Sequence, residues 1–443
     1  MRQMNEGGSL YGIESLKNAL RGSRVNGHLT TQNSPARAVP RVVIWVGITS
    51  LLTDLATEMV GSVLPAFLFS VLLLPPLMVG FMEGVYQGAA AILRLPTGIW
   101  ADRFQKHKSV AALGYGMSAV AKLALLLSMQ WGLLAALISL GLDRVGKAVR
   151  TAPRDVLIAA HAESGQKGAA FGLHRAMDAV GALAGPLLAF ALLALTPEDY
   201  TLLLVVSLII ATLGFLAFLG KVPGLKPGGN QERSSRLLDL PMSKTQDEFS
   251  SWKEVLKQLK SQRSFWMLLW CAAALSFGVI SDGLLYLYLQ QKSQVAVTWL
   301  PLFYSGTALI FVLAAYPFGK LADRVGAKWL VVAGHALLMI WYLSLQFLPP
   351  LVGIAGTLLV MGCFYAATDG VLMAQAAKLL PSEVCTTGMA LLGAVVGLMR
   401  LLSSTLFGAL WQWNGQVVAF TAFSVVLGIS IAATVFLWSK AEI

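Results

Sequence analysis

The chain has 443 residues, of which 56% are hydrophobic and only 12% are charged, whereas a soluble domain carries about 25% charged residues. Together with a mean hydropathy of +0.70, this composition excludes an ordinary soluble protein and indicates one that crosses a membrane many times. The net charge of +11 does not indicate nucleic-acid binding, because the basic residues lie in several loops and tails and form no single cluster.

The first segment, residues 1–41, is polar and lacks an apolar core before a cleavage site. We expect a flexible cytoplasmic tail and no cleavable signal peptide. Twelve apolar stretches follow, each long enough to cross a hydrocarbon core of roughly 30 Å. They lie near 42–66, 77–100, 108–129, 131–158, 169–195, 200–220, 265–289, 299–318, 328–348, 351–378, 386–411 and 416–438. Because backbone groups must be satisfied in lipid and strand barrels need shorter, alternating segments, we predict an all-α membrane protein with twelve transmembrane helices.

A polar segment, residues 221–263, divides the spans into two groups of six. We therefore predict an N-terminal six-helix bundle over 42–220, a cytoplasmic central loop, and a C-terminal six-helix bundle over 264–439. The piece SSWKEVLKQLKSQRSF at the end of the loop is interpreted as a solvated linker helix, with an amphipathic helix on the inner membrane surface as the alternative.

Basic residues are distributed unevenly between the two sides of this topology. Residues 1–41 hold six Lys and Arg, 101–108 hold three and 221–263 hold nine, whereas the opposite side has only Lys292. The positive-inside rule therefore predicts that both termini are cytoplasmic. We expect a multi-pass protein of the inner membrane of a bacterial cell.

The two halves repeat a loop motif between their second and third spans: GIWADRFQKHK begins at Gly98 and GKLADRVGAK begins at Gly319. The shared positions are Gly98, Asp102 and Arg103 in the first copy and Gly319, Asp323, Arg324 and Gly326 in the second. Gln105 replaces the loop glycine in the first copy. With its twelve spans, central loop and paired motifs, the sequence resembles the major facilitator superfamily over residues 40–440.

The resemblance implies two bundles that rock around a substrate site near the middle of the membrane. In the loop motifs, a carboxylate at the inner end of a helix can pair with arginine and with the N-terminus of a neighbouring helix. Such pairs would close the inner face in one state and open it when they break. The alternative is that these residues only follow the positive-inside bias and cap helices.

A second pattern, GALAGPLLA, lies in the fifth span and resembles a pattern of superfamily members that act as antiporters and exporters. Gly181 and Gly185 allow another helix to approach closely, and Pro186 permits a bend. Ala189 stands where many relatives have a second glycine. Plain helix packing is the alternative, and it is the preferred interpretation of GFMEGVYQG in the second span.

The end of the fourth span, GLDRVGKAVRTAPRD, is charged but contains no turn signal. One interpretation ends the helix near Val149 and leaves the basic residues in a cytoplasmic loop. The other continues the helix to Ala160, because the internal repeat aligns Arg154 with Asp369 and the second-half counterpart remains apolar. Pro153 is then a potential kink.

On the longer helix, Asp143, Lys147, Arg150 and Arg154 follow one another at steps of four, three and four, with Arg144 and Asp155 in the same segment. Each charge costs roughly 2.5 to 3.5 kcal/mol at the centre of an inserted helix, so this stripe cannot face lipid. It must line a hydrated cavity or meet partners. Asp143 is expected to pair with Lys147 one turn away.

Candidate partners lie in other spans of the first half: Asp54 and Glu58 in span one, Glu83 in span two, and His174, Arg175 and Asp178 in span five. Asp54 and Glu58 share a helix face, as do His174 and Asp178. In the superfamily, spans one and four line the central cavity, so the resemblance places Asp54 and Glu58 across from the fourth-span cations. The alternative for span five is a buried structural bridge.

The second half has fewer intramembrane charges, chiefly Asp282 in span seven, Asp369 in span ten and Arg400 in span eleven. Its large side chains are candidate contacts for the body of a substrate: Trp270, Phe277, Tyr286, Tyr288, Phe364 and Tyr365. The alternative is that they are core or membrane-belt residues.

No phosphate-binding glycine loop is present, and no nucleophile–base pair or metal-ligand motif is evident. We therefore expect no ATP-driven motor, no enzyme activity, no cofactor and no metal site. The sequence favours a monomeric secondary transporter in the lipid bilayer, with protons as the coupling ion and Asp54, Glu58 or Asp178 as the proton acceptor. The fourth-span cations would exchange a carboxylate partner for the substrate.

The glycine–proline pattern favours export by antiport, and the excess of cations in the first half favours a small anionic or amphipathic solute. A nutrient uptake symporter is one alternative. Another is a permease for iron or manganese, since the two carboxylate-bearing faces offer oxygen and nitrogen ligands, although nearby Arg and Lys oppose a divalent cation. A transporter-like receptor is the third.

Overall fold

The computed structural model describes residues 40–104, 107–162, 167–197, 199–224 and 258–440. Side chains are described for these residues except 94–104, 167, 382–383, 386 and 440. The predicted N-terminal tail and most of the predicted central loop, including its proposed linker helix, lie outside the described residues.

The first half of the chain forms six long helices that follow its apolar runs. They are α1 (Arg41–Gly61), α2 (Pro76–Phe104), α3 (His107–Trp131), α4 (Leu133–His161), α5 (Lys167–Leu195) and α6 (Tyr200–Lys221). Gly132, at φ +62°, makes the turn between α3 and α4, a conformation that glycine adopts readily. Asp199 begins α6, because its carboxylate accepts hydrogen bonds from the backbone N–H groups of Thr201 and Leu202.

The second half repeats this arrangement with one interruption. Its helices are α7a (Arg263–Phe277), α7b (Asp282–Ser293), α8 (Leu300–Val325), α9 (Ala327–Leu345), α10 (Pro350–Leu379), α11 (Ser382–Asn414) and α12 (Gln416–Lys440). The seventh predicted span, 265–289, is present but is divided into two helices, because Ser281 caps a new helix by accepting a hydrogen bond from the Leu284 N–H. The break leaves the Val279 carbonyl outside a helix, and it accepts a hydrogen bond from the Ser403 hydroxyl of the second bundle at 2.5 Å.

Every predicted span corresponds to helical structure, the seventh in two segments, so the all-α class is confirmed. In the described part of the chain, ten helical segments are long and apolar enough to cross a membrane. The other two are α2 and α4. Six charged residues between Asp143 and Asp155 make α4 too polar for that criterion. Twelve crossings and cytoplasmic termini therefore stay predictions.

The helices of each half pack mainly on one another. In the first bundle, α1 to α6, α1 contacts α5 and α6 while α3 contacts α4. In the second bundle, α7a to α12, α10 contacts α8 and α9. We call the end of the molecule where α1 begins and α12 ends the terminal face, and the opposite end the distal face.

The buried apolar clusters differ between the two faces. Toward the distal face one cluster joins both bundles and includes Phe67 and Phe407. Toward the terminal face each bundle has its own cluster, around Tyr115 in the first and Phe265 in the second. The bundles are therefore closed on each other at the distal face and have separate cores at the terminal face.

Glycines allow the bundles to approach closely along α2 and α11. Gly80, Gly84 and Gly88 lie against the backbone of Ser404, Leu401 and Gly397. A Cβ atom on Gly84 would lie 2.7 Å from the Leu401 Cα, closer than real Cβ atoms allow. The interpretation of GFMEGVYQG as a packing surface is confirmed. We call the contact of α2 with α11 and α7b the seam.

The fifth-span pattern also lies at a close helix contact. A Cβ atom on Gly185 would lie 2.8 Å from the Leu55 carbonyl oxygen of α1, and Gly181 lies against the Leu51 backbone. Pro186 lies inside a continuous α5. In this structure the pattern packs α5 on α1, and its predicted link to antiport stays a prediction.

Candidate functional site

The charged end of the fourth span is helical. α4 continues to His161, with Pro153 inside it, and Asp143, Arg144 and Arg150 are buried. The interpretation of residues after Val149 as a loop was therefore wrong. Helical structure persists because other helices of the first bundle supply partners for these charges.

Asp143 lies at the centre of a buried ion network. The Lys122 ammonium of α3 donates to the Asp143 carboxylate at 2.9 Å, and the neighbouring Arg144 guanidinium also donates to it. Asp143, Arg144 and Lys122 are each 4% exposed. The predicted pairing of Asp143 with Lys147 was wrong, because Lys122 and Arg144 take that carboxylate. Lys122 was missed, although a lone lysine in an apolar span signals that an acidic partner is needed.

Arg144 also contacts α2. Its guanidinium lies 3.9 Å from the centre of the Tyr86 ring and donates to the Tyr86 carbonyl oxygen at 3.1 Å. The Arg144 Nε is buried and has no hydrogen-bond partner among the described residues. One N–H group of a permanently charged guanidinium therefore has no acceptor among the described residues in this state.

Glu58 and Lys147 lie across from each other on α1 and α4. Both are half-buried, and Lys147 is the cation that attracts the Glu58 carboxylate most strongly. Arg144 attracts it as well. The structure thus brings Glu58 and the fourth-helix cations together, as the family resemblance implied.

Arg150 joins three helices. Its guanidinium donates to the Ser118 hydroxyl of α3 at 2.6 Å and lies 3.5 Å from the Asp54 carboxylate of α1. It also lies 5.2 Å from the centre of the Tyr115 ring. Asp54 is therefore placed opposite a fourth-helix cation, again as the resemblance implied.

Arg154 lies nearer the terminal face among several acids and hydroxyls. It pairs with Asp155 at 2.9 Å and with Asp178 of α5 at 3.7 Å. His174 is fully buried, with Nε2 3.4 Å from an Asp178 oxygen but without hydrogen-bond geometry. The other Asp178 oxygen also lacks a partner among the described residues. Arg175, in contrast, is exposed.

The second bundle contributes a smaller polar group. Asp282, the first residue of α7b, accepts a hydrogen bond from the Tyr365 hydroxyl of α10. Arg400 of α11 lies 3.4 Å from Asp369 and 5.6 Å from the centre of the Tyr365 ring. The Asp369 side chain is 52% exposed, so this group is reached by solvent.

Glu83 connects the bundles. Its carboxylate accepts a hydrogen bond from the backbone N–H of Gly283, the second residue of α7b. Glu83 is 2% exposed, and its Oε1 has no partner among the described residues. Most of the predicted site residues therefore gather into four places: the contact between α1 and α4, the Arg154 group, the Asp369–Arg400 pair and the seam.

The candidate aromatic contacts separate into different environments. Tyr286 donates to or accepts from the Thr307 hydroxyl at 2.6 Å and, like Tyr365, lies close to Asp282. Tyr286, Tyr288 and Phe364 belong to the buried cluster that joins the bundles, and Trp270 is 69% exposed. The alternative interpretation, as core or belt residues, fits these four side chains.

The loop motif is described in its second copy. Gly326 ends α8 with φ +95°, a conformation that disfavours side chains larger than glycine. Asp323 and Arg324 are exposed and form no ion pair with any described side chain. The first copy lies outside the described residues at Gln105 and outside the described side chains at Gly98, Asp102 and Arg103. Exposed motif charges fit a molecule whose bundles are separate at the terminal face.

Sequence comparison identifies relatives over most of the chain. The model of a family described as Major Facilitator Superfamily matches residues 46–404. An uncharacterized MFS-type transporter of Methanocaldococcus jannaschii is 27% identical over 395 residues, which cover 87% of this chain and 92% of that protein. An uncharacterized protein of Mycobacterium tuberculosis is 27% identical over 414 residues, covering 91% and 94%.

Solved transporter structures have a similar fold. A peptide transporter POT in complex with sulfate superimposes with a TM-score of 0.71 at 13% identity, covering 91% of this chain and 96% of that one. A bacterial homolog of the human lysosomal transporter Spinster, inward-facing and unoccupied, gives a TM-score of 0.62 at 16% identity, covering 90% and 94%. At these identities the likeness shows the fold alone.

Proposed function

Because this chain belongs to the Major Facilitator Superfamily, we propose that it is a secondary transporter that couples the movement of a small anionic or amphipathic solute to protons. The observation that carries this proposal is a set of three cations on α4, each of which faces a carboxylate of α1 or α5. Lys147 faces Glu58, Arg150 faces Asp54 and Arg154 faces Asp178. Cations and carboxylates that face each other in this way bind anions and protons in a linked way.

The anion-binding role is supported by the state of the cations. The Arg144 Nε–H has no acceptor among the described residues, and the half-buried Lys147 is the cation that acts most strongly on Glu58. A carboxylate or phosphate group of a solute can replace Glu58 at these cations, since charge-assisted hydrogen bonds are the strongest available there. Tyrosine rings beside the site, such as Tyr86, suit the apolar part of an amphipathic solute.

A role for protons follows from the same arrangement, because a proton and a cation compete for one carboxylate. When an acid on α1 or α5 binds a proton, it releases its cation, and the cation becomes free for an anion. Proton and anion then bind together, which is the behaviour of a symporter. This geometry favours the uptake or release of a solute together with protons, whereas the fifth-span glycine–proline pattern favours export by antiport.

Flux in proteoliposomes tests the proposal and separates the two couplings. Vesicles with a trapped pH dye receive a panel of mono- and dicarboxylates and sugar phosphates, with and without an imposed pH gradient. Symport moves protons in the direction of the solute, and antiport moves them in the opposite direction. Flux that ignores the gradient for every transported solute would remove the proton from the mechanism.

Two substitutions refine this test. Lys147→Gln is expected to reduce transport of the anion about tenfold or more, because a hydrogen bond to a charged group contributes roughly 1.5–3 kcal/mol. Lys378→Gln, at an exposed position of α10, is the matched control and should transport normally. Equal loss in both variants would contradict a role for the α4 cations in binding.

The metal-cation permease is not favoured by the site. Asp54 and Asp178 each face an arginine, at 3.5 and 3.7 Å, and these charges oppose a divalent cation. Within the described residues, no group of three or more His, Cys, Asp or Glu side chains is arranged to hold a metal ion.

A further inference from the structure

Glu83 occupies an unusual position in the seam. It belongs to α2 of the first bundle, yet its carboxylate accepts a hydrogen bond from Gly283 at the N-terminus of α7b in the second bundle. It lies seven residues from the distal end of α2, about 10 Å at 1.5 Å per residue. Its Oε1 is buried without a partner among the described residues. Closing the distal face therefore buries an incompletely satisfied carboxyl group between the bundles.

A second acid lies beside it. Asp282 precedes Gly283 in the chain and, of all charged groups, acts most strongly on Glu83, by repulsion. Neither acid forms an ion pair with a described basic side chain. The two nearest cations are already engaged, Arg144 with Asp143 and Arg400 with Asp369.

The polar surroundings of the pair come from seven helices. The groups that face Glu83 or Asp282 are Tyr86 of α2, Arg144 of α4, Tyr286 of α7b, Tyr304 of α8, Tyr342 of α9, Tyr365 and Asp369 of α10, and Arg400 of α11. The Tyr304 hydroxyl, like Glu83 Oε1, is buried without a partner in the described part of the chain. The tyrosines can donate hydrogen bonds, but they bring no positive charge.

Glu83 is buried against Gly283 and the neighbouring Asp282 is only partly exposed, so the repulsion between the two carboxylates favours a proton on one of them. The N-terminus of α7b carries roughly half a positive charge, which offsets part of one negative charge and not two. We propose that Glu83 and Asp282 form an acid pair that is assembled across the seam when the distal face closes and that binds one proton.

The pair deepens the proposed function, and it rests on proton coupling being correct, since it names a coupling-proton site besides Asp54, Glu58 and Asp178. Opening the distal face separates the two acids and hydrates both. The O–H bond then breaks, two carboxylates remain, and the proton passes to water on the distal side. By linkage, proton binding stabilises the closed distal face and proton release favours its opening.

Distance measurements across the distal face test this inference without a solute. In full-length protein with Cys271, Cys363 and Cys385 replaced by serine, spin labels are attached at Leu195→Cys and Leu351→Cys. Both positions are highly exposed, at 78% and 77%, on opposite bundles at the distal face. In lipid nanodiscs, double electron–electron resonance should report mainly the short distance in acidic buffer and a growing long-distance population in alkaline buffer.

Substitution of either acid should remove this response. Glu83→Gln is neutral at every pH and still accepts the Gly283 hydrogen bond, so the short distance should persist in alkaline buffer. The ratio of long to short distances there should fall about tenfold or more. Asp282→Asn should also lose the pH dependence. The same loss in two separate variants would not be explained by a folding defect in one of them. Asp199→Asn, an exposed acid of the distal face whose capping role asparagine preserves, should respond like the parent.

The outcomes separate this inference from the proposed function. A parental pH response in both Glu83→Gln and Asp282→Asn would overturn the acid pair, whatever the flux assays give. A response that requires both acids would support it. If solute flux nevertheless ignored every pH gradient, the proton-coupled transport would fall while the proton-binding pair remained.

Discussion

At the scale of single residues, the first bundle is organised by charges that neutralise one another away from water. Asp143 is held by Lys122 and Arg144, and Arg150 is held by Asp54. Removing one member of such a pair leaves a buried charge without compensation, which costs more than the pair itself contributes. The positions of these ions are therefore tied to the stability of the bundle as well as to its proposed binding role.

Lys122→Met should destabilise the protein, because Asp143 then keeps Arg144 as its only ion-pair partner. We expect the free energy of unfolding in detergent micelles to fall by about 3 kcal/mol. Lys320→Met, at an exposed position, should change it little. Asp143→Asn should cost at least as much, because it leaves both Lys122 and Arg144 buried without this carboxylate. A loss in Lys122→Met no larger than that in Lys320→Met would contradict the ion network.

The sequence identified most of these ions but not their partners. A charge inside an apolar span can be recognised from the sequence alone, and the spacing on α4 correctly predicted a buried stripe of charges. Asp143 and Lys122 lie 21 residues apart on different helices, so their contact depends on how α3 packs on α4. Lys147 faces Glu58 because Asp143, the acid one turn away on α4, is already paired with Lys122 and Arg144.

At the scale of helices, two features decide how the bundles meet: the break between α7a and α7b, and the glycines of α2. The break exposes the N-terminus of α7b to Glu83, and the glycines let α2 lie directly on the α11 backbone. A discontinuous helix supplies polar backbone groups in the membrane without leaving lipid-facing groups unsatisfied. The Ser281-Asp282-Gly283 sequence is a capping signal that marks this break.

Gly88→Ala should weaken closure of the distal face, because a Cβ atom there would collide with the Gly397 carbonyl group of α11. The spin-label distance between positions 195 and 351 should shift toward longer values at all pH. Gly141→Ala is the matched control on α4, where a Cβ atom meets nothing within 4 Å. Alanine there should leave the distance unchanged, and an equal shift in both variants would contradict the seam as the cause.

At the scale of the whole molecule, the structure corresponds to one end of the alternating cycle that we propose. A shared apolar core closes the distal face, and the two terminal-face cores are separate. Side chains near the terminal face, such as Asp369, are accordingly exposed. In the opposite state, the loop-motif charges Asp323 and Arg324 would find partners as the terminal face closes.

Cysteine labelling from each side of the membrane checks this state. In cysteine-free protein, a membrane-impermeant maleimide should reach Asp369→Cys only from the side that carries the termini, and Leu351→Cys only from the other side. Thr307→Cys, at a buried position, should react from neither. Labelling of Asp369→Cys only from the distal side would contradict an opening at the terminal face.

The sequence by itself determined the class of the protein, the positions of its helices and the family, because these follow from hydropathy, helix length and local motifs. It also determined that α4 carries charges that cannot face lipid. Only the tertiary structure decided which acid meets which cation, where the seventh span breaks, and that Glu83 lies against α7b. These are contacts between residues far apart in the chain, and their free energies depend on burial and distance, which the packing of whole helices sets and no local pattern records.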